Sequence, residues 1–371
     1  MIESLYSFII SPAVSPFVFG LAKTTFIMTI VMTSGLVLSW VERKQSAIMQ
    51  DRIGANRAAI LGVSALGLVN NLADALKGIT KEDYIPPQAN KFLHVLAPFL
   101  ACFTATAAFA VLPFGGELKL PGMDHAIPLS IAPVDASLLF VFAMLSIGVY
   151  SVVLAGYVSG NKYGTLGALR ASAQMISYEV ATGLTILGAL MLYQTLDFRV
   201  MVEYQQQHYW GIVTQPIGFL LFMTATIVEM KRVPFDLPEA ESEIIGYSVE
   251  YSGMKFMLFL MAEFIETLLF SWIIVLIFLG GWHLPGLHVP EAGQGTQWLG
   301  MTIGHWPAVA LEVAAFAGKI VFLCWLSMLI RWSLPRFRYD QIMHLGWKIM
   351  LPIALANVAV TAVVILLMGG K

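Results

Sequence analysis

The sequence predicts an all-α integral membrane protein of about eight transmembrane helices, with one further amphipathic helix lying at the membrane surface. Three observations predict it. Of 371 residues, 58% are hydrophobic and only 12% are charged, whereas a soluble domain carries about 25% charged residues. The apolar residues gather into eight runs close to the ~20 residues that a span requires. Most of the Lys and Arg residues fall between those runs and favour alternate connections.

The eight runs cover residues 17–40, 92–112, 138–156, 166–193, 211–230, 254–279, 307–330 and 345–367. The first continues into a full span rather than stopping at a small-residue cleavage site, so no removable signal peptide is expected. Connections 41–91, 157–165, 231–253 and 331–344 hold thirteen Lys and Arg residues, whereas the other connections and the termini hold Lys119, Arg199 and Lys371. By the positive-inside rule the first set is cytoplasmic and both termini are extracytoplasmic. The expectation is one polytopic membrane domain over 1–371, embedded in the lipid bilayer.

The first cytoplasmic connection, 41–91, is long. Its stretch 61–79 mixes small apolar residues with Asn70, Asn71, Asp74 and Lys77. It is too short and polar to span, and it reads as a helix at the interface. Asp74 and Lys77 stand three apart and can pair on one helix face. Pro86-Pro87 ends the stretch. Connections 113–137, 194–210 and 281–304 read as extracytoplasmic turns without chemistry. His283, His288 and His305 show no metal-ligand spacing. The last connection, 331–344, is basic and amphipathic, which fits a membrane surface or a docked protein.

Two features carry chemistry. Connection 231–253, with the residues before it, holds six carboxylates: Glu229, Asp236, Glu239, Glu241, Glu243 and Glu250. Pro234 and Pro238 prevent one continuous helix through it. Carboxylates crowded this closely repel, so some should hold protons unusually tightly and titrate together. The second feature is charge inside the spans: Arg170 and Glu179 in the fourth, Glu229 closing the fifth, Glu263 and Glu266 in the sixth, Glu312 and Lys319 in the seventh. Charges at a bilayer centre cost at least ~2.5–3.5 kcal/mol and usually mark ion or proton pathways. Glu179, Glu229 and Glu263 have few basic partners in their own spans, which points to a proton-responsive chain. Glu312 and Lys319 share a face about 10 Å apart along the helix, so an ion pair between them and partners on neighbouring helices are both open.

Several classes are excluded. A net charge of −2 gives no footprint for nucleic acid. Two cysteines in separate spans cannot supply the four thiolates of an iron–sulfur cluster. No phosphate-binding loop, dinucleotide fingerprint, nucleophile elbow or zinc-protease motif occurs. No catalytic residue, metal site or covalently bound cofactor is expected, so the driving chemistry must come from a partner or a diffusible ligand.

Four separated motifs then carry a resemblance: Glu42-Arg43-Lys44 with Gln50-Asp51-Arg52-Ile53-Gly54; 167–171 with 174–179; Arg232-Val233-Pro234-Phe235-Asp236-Leu237-Pro238-Glu239-Ala240-Glu241-Ser242-Glu243; and Leu334-Pro335-Arg336 with Asp340-Gln341 and 345–348. In this order and over nearly the whole chain, they resemble the family of quinone-chamber membrane subunits (the H subunits) of respiratory complex I, the proton-pumping NADH–quinone oxidoreductase. The resemblance implies a bacterial inner-membrane protein that takes quinone as a diffusible substrate. It implies membrane and peripheral-arm partner subunits, the latter holding the flavin and iron–sulfur clusters. It assigns Arg43, Arg52, Asp74 and Lys77 to the wall and rim of the quinone chamber. Phe235, Asp236, Glu239, Glu241 and Glu243 become a loop facing the quinone path. Glu179, Glu229, Glu263 and Glu250 pass the signal on, with Arg232 as their nearest cation. The chain departs from the family at Ala55, where a proline is usual, and is one residue shorter just before Gly246-Tyr247. The equivalent subunit of a membrane-bound hydrogenase-type complex would share these motifs. A stand-alone proton or cation transporter would be expected to show inverted repeats and broken-helix pairs, which the sequence lacks.

Overall fold

The structure, a computed structural model, describes residues 15–118, 127–239, 243–244, 246–285, 287–288, 296–298, 301–303 and 305–367. Its helices are α1 Ser15–Met49, α2 Leu68–Thr80, α3 Lys91–Ala107, α4 Ser137–Val158, α5 Lys162–Tyr193, α6 Phe198–Gln207, α7 Gly211–Thr214, α8 Pro216–Glu229, α9 Gly253–Phe278, α10 His305–Ser333, α11 Tyr339–His344 and α12 Leu351–Leu367. A π-helical turn, Leu345–Met350, joins α11 to α12 without a break. Seven of the resulting continuous helices are long and apolar enough to cross a membrane, and the protein is a multi-pass membrane protein.

The fifth expected span is shorter than the rest. Pro216 lacks an amide proton and starts α8 at its first position, so the chain breaks at Gln215 and leaves a 14-residue helix. The break is held by polar contacts: Gln215 Nε2 donates to Thr361 Oγ1 at 2.8 Å, and Asn357 Nδ2 donates to Gln215 Oε1 at 2.9 Å.

Helix α9 is the post of the bundle. It packs against α1, α2, α3, α6, α8 and α10. From Ile265 to Phe278 every residue is buried, as expected of a helix that is apolar all round. Helix α5 is a second hub, packed on α4, α8 and α12.

The connections gather at two ends. At one end Tyr84, Glu250, Glu243, Pro234 and Glu42 are joined across the chain to Ser252, Asn161, Arg170, Phe337 and Arg331. At the other, Leu138 bonds to Leu196, and Lys319 to the 279–283 turn. That second end is more structured than turns alone. Residues 198–207 form α6, 117–118 and 127–128 pair as a two-stranded sheet, and 287–288, 296–298 and 301–303 form a three-stranded antiparallel sheet.

Helix α2 forms within the stretch that the sequence marks as an amphipathic helix. Its polar side holds the bundle: Asn71 Nδ2 donates to Leu36 O at 2.6 Å, and Asp74 pairs with Arg43 at 2.6 Å. Leu68, Leu72, Leu76 and Ile79 are left exposed along one stripe. The Asp74–Lys77 pair is not formed, because α1 brings the Arg43 guanidinium to Asp74 first.

Candidate functional site

The N-terminal half of α9 forms one wall of a cavity of about 320 Å³. Helices α1 and α2 form the others. Leu36, Phe256, Met257, Leu260, Met261 and Phe264 make it apolar, while Arg43, Asp74, Lys77 and Lys81 line its rim. Gly253 allows α9 to start there. Its φ is +57°, and a Cβ would lie 3.2 Å from the Lys81 carbonyl and 3.4 Å from that of Gly78. Of the expected chamber residues, Arg43, Asp74 and Lys77 meet at this cavity. Arg52 lines a separate recess with Glu42, Arg43, Ser46 and Trp332.

The acidic connection is pinned rather than loose along its described part. Helix α8 ends as Lys231 takes a left-handed φ of +57°. Phe235 is buried and stacks on Phe337, with centroids 5.3 Å apart. Asp236 binds Arg336 at 2.8 Å and accepts the Glu239 N–H at 3.0 Å. Burial pushes the Asp236 carboxyl above its usual range, the Glu239 charge adds to this, and Arg336 opposes it. Ser248 Oγ donates to Glu239 at 2.5 Å, Glu243 pairs with Arg170 at 2.7 Å, and Asn161 Nδ2 donates to Glu250 at 2.6 Å. Gln174 Nε2 donates to the carbonyls of Val228 and Phe235, tying both ends of the turn to α5. These side chains do not line the 320 Å³ cavity. Glu241 lies outside the described residues.

Beside the cavity, from α1 past α9 to α5, runs a line of largely buried charge. Glu42 accepts from Arg331 at 2.5 Å and from Arg232 at 3.1 Å. Arg232 lies 3.9 Å from Glu263, and Lys231 lies 3.3 Å from Glu266. Glu266, Glu229 and Glu179 then line one void of about 10 Å³ with Met175 and Phe270, close to the room one water needs. Oε2 of Glu229 is buried without a partner, and Ser146 Oγ donates to Glu179. The expected Glu179, Glu229, Glu263 and Arg232 are thus brought together, and Glu250 stands apart on Asn161.

Sequence reasoning missed Glu42, Arg331, Lys231 and Glu266 as members of this line. Glu263-x-x-Glu266 spacing was a usable signal for Glu266. Nothing local marks Glu42 and Arg331, which are 289 residues apart. The open question of Glu312 and Lys319 is also answered. Lys319 Nζ donates to the carbonyls of Leu279, Gly281 and His283, each at 2.8 Å, and lies over the Trp210 ring. It serves the end of α9 and not Glu312.

Comparison with known proteins gives a consistent result. The family model described as NADH dehydrogenase matches residues 22–362. The chain is 43% identical over 352 residues to the first H subunit of the NADH-quinone oxidoreductase of Cytophaga hutchinsonii, covering 94% of this chain and 98% of that protein. It is 40% identical over 341 residues to the corresponding H subunit of Flavobacterium johnsoniae, covering 92% and 93%. It is 39% identical over 350 residues to the second H subunit of Syntrophobacter fumaroxidans, covering 94% and 96%.

Proposed function

The chain belongs to the NADH dehydrogenase family of membrane subunits, and from that premise we propose that it is the H subunit of a proton-pumping NADH–quinone oxidoreductase, forming the quinone-access chamber and linking quinone reduction to proton movement. In this reading the chain supplies no redox centre. Partner subunits hold the flavin and the iron–sulfur clusters, and the membrane is a bacterial inner membrane with both termini outside.

One observation carries the reading. Phe264 lines the cavity, and the Arg232 guanidinium lies 4.1 Å from the centroid of its ring. Arg232 also bridges Glu42 and Glu263. The cavity wall and the first cation of the buried line are therefore in direct contact. The apolar wall accepts the hydrocarbon part of a quinone, and Arg43, Lys77 and Lys81 face its polar head at the rim. Negative charge that develops on a quinone during reduction acts on Arg232 and the acidic turn through a medium of low dielectric, where Coulomb terms are several-fold larger than in water. A changed Arg232 contact alters which of Glu263, Glu266, Glu229 and Glu179 hold protons, with the void between the last three giving a water room to carry one. Asp236, Glu239, Glu243 and, by position, Glu241 form the responsive turn, punctuated by Pro234 and Pro238.

The test is mild-detergent purification from native membranes, with mass spectrometry and an NADH:quinone reductase assay on the same fraction. Flavin and iron–sulfur subunits should accompany the chain, with inhibitor-sensitive activity. Glu241→Gln and Glu263→Gln should assemble normally and lose most of that activity. Recovery of the chain alone, still moving ions, would refute the proposal.

A further inference from the structure

One buried group stands apart from both the cavity wall and the charge line. His94 lies in the first turn of α3 with 0% exposure, and its ring stacks on Tyr251, centroids 4.2 Å apart. Neither ring nitrogen has a hydrogen-bond partner. Buried polar groups are nearly always paired, so an imidazole with both nitrogens unpaired marks a place where a proton or a contact can be gained.

The surroundings say which. Tyr251 is buried and lines the 320 Å³ cavity together with Ser252 and Gly253. Lys255, buried in the first turn of α9, holds Asp83 at 2.8 Å, and the Asp83 side chain is half exposed. Those two charges are the ones that act on the His94 ring. Helix α4, packed along α3, offers Tyr150 and Tyr157, both exposed, and no charged side chain. Lys91, in the same first turn of α3 as His94, is exposed. Asp83 belongs to the connection that follows Lys81 of the cavity lining and is tied to the start of α9: Ser252 Oγ donates to Glu82 O at 2.8 Å and accepts the Tyr84 N–H at 3.0 Å.

We propose that His94 is a positioning residue that makes quinone access to the cavity proton-responsive, acting through Tyr251 and the Lys255–Asp83 pair. The proposal rests on the reading of the cavity as a quinone path. Neutral His94 only stacks, and it keeps Tyr251 in the wall. Protonated His94 is a second cation beside Lys255 with one carboxylate to share. Asp83 is drawn between the two, and the joint between residues 82–84 and the start of α9 slackens at the mouth. Burial and the neighbouring Lys255 ammonium oppose that proton while Asp83 favours it, so the effect belongs to the acid side of histidine's ordinary pH 5–8 range.

The experiment measures inhibitor-sensitive NADH:quinone reductase activity of the intact complex at varied quinone concentration, between about pH 8 and about pH 5. Three forms are compared: wild type, His94→Phe and Met257→Trp. The wild-type KM for quinone should rise by about threefold or more as the pH falls across the histidine range. His94→Phe keeps the stack but cannot titrate. Its KM should stay flat, with a kcat profile parallel to wild type. A KM in His94→Phe that still follows the wild-type slope overturns the proposal. If that variant does not assemble on a native gel, His94→Gln, neutral and polar, takes its place, and failure of both to assemble makes the role purely structural and also overturns it. Met257→Trp fills the cavity and should raise KM at every pH. No change there would remove the cavity reading itself, a failure distinct from that of His94.

Discussion

Helix α9 has two unlike faces. Towards α1 and α2 it borders an open cavity of about 320 Å³ whose charges sit at the rim; towards α5 and α8 it borders a void of about 10 Å³ whose walls carry three carboxylates. The open face can take a ligand of quinone size but has few ionisable groups in contact with its apolar interior. The closed face can hold a water and is dense in ionisable groups. The difference separates two tasks that one site could not combine. A greasy ligand needs room and low polarity, whereas proton exchange needs close carboxylates shielded from bulk solvent.

The largest expected effect comes from the contact between the faces. Arg232→Leu leaves Glu42 and Glu263 facing a buried gap, and removal of one partner from a buried ion pair costs about 3–5 kcal/mol. The thermal midpoint of the purified complex should fall sharply, and an unshifted midpoint would show that Arg331 and Lys231 suffice. A smaller effect is expected on the open face. The Cβ added in Gly78→Ala meets Met257 Cγ at 2.7 Å. Because that methionine is flexible, the cost should stay near about 1 kcal/mol, with the quinone KM raised more clearly than stability is lowered. An unchanged KM would place the ligand elsewhere than the seam between α2 and α9.

A third test concerns the acidic turn. The Asp236 carboxyl is raised in the folded chain, so the native state binds this proton more tightly than the unfolded chain does. Its contribution is therefore complete below the ordinary carboxylate value, about pH 4, and is lost as pH rises through the raised native value. Thermal midpoints against pH should show a weaker fall over that window in Asp236→Asn than in wild type. Parallel curves would show that Arg336 holds the carboxylate charged throughout. Asp340→Asn sets the lower limit. Asp340 and its Arg338 partner, 2.8 Å apart, are both exposed, so solvent screens the pair, and neither stability nor KM should move.

Much of this was legible in the sequence, for reasons that differ by region. The spans and the amphipathic helix follow from composition and periodicity, which act within some twenty residues. The break at Gln215 was marked by Pro216, but the run of apolar residues around it masked the signal. Helix α6 escaped because Phe198, Met201 and Val202 are its buried side and polar residues dominate the rest. The buried line was half legible. Glu179, Glu229 and Glu263 stand out because acids are rare in spans, whereas Glu42 and Arg331 look like ordinary flanking charges until the chain folds them together. The same holds for Asp74, whose partner Arg43 comes from another helix.

Lys319 closes one end of α9. Its ammonium fills the carbonyl end of a helix about 39 Å long, binding the carbonyl oxygens of Leu279, Gly281 and His283. The opposite end starts at Gly253 beside the cavity, with no side chain capping it. The cavity end is held instead by the half-exposed Lys255–Asp83 pair and the Ser252 hydrogen bonds. Dissolved ions screen an ion pair open to solvent, so rising ionic strength should loosen the end beside the cavity before the end beside Lys319.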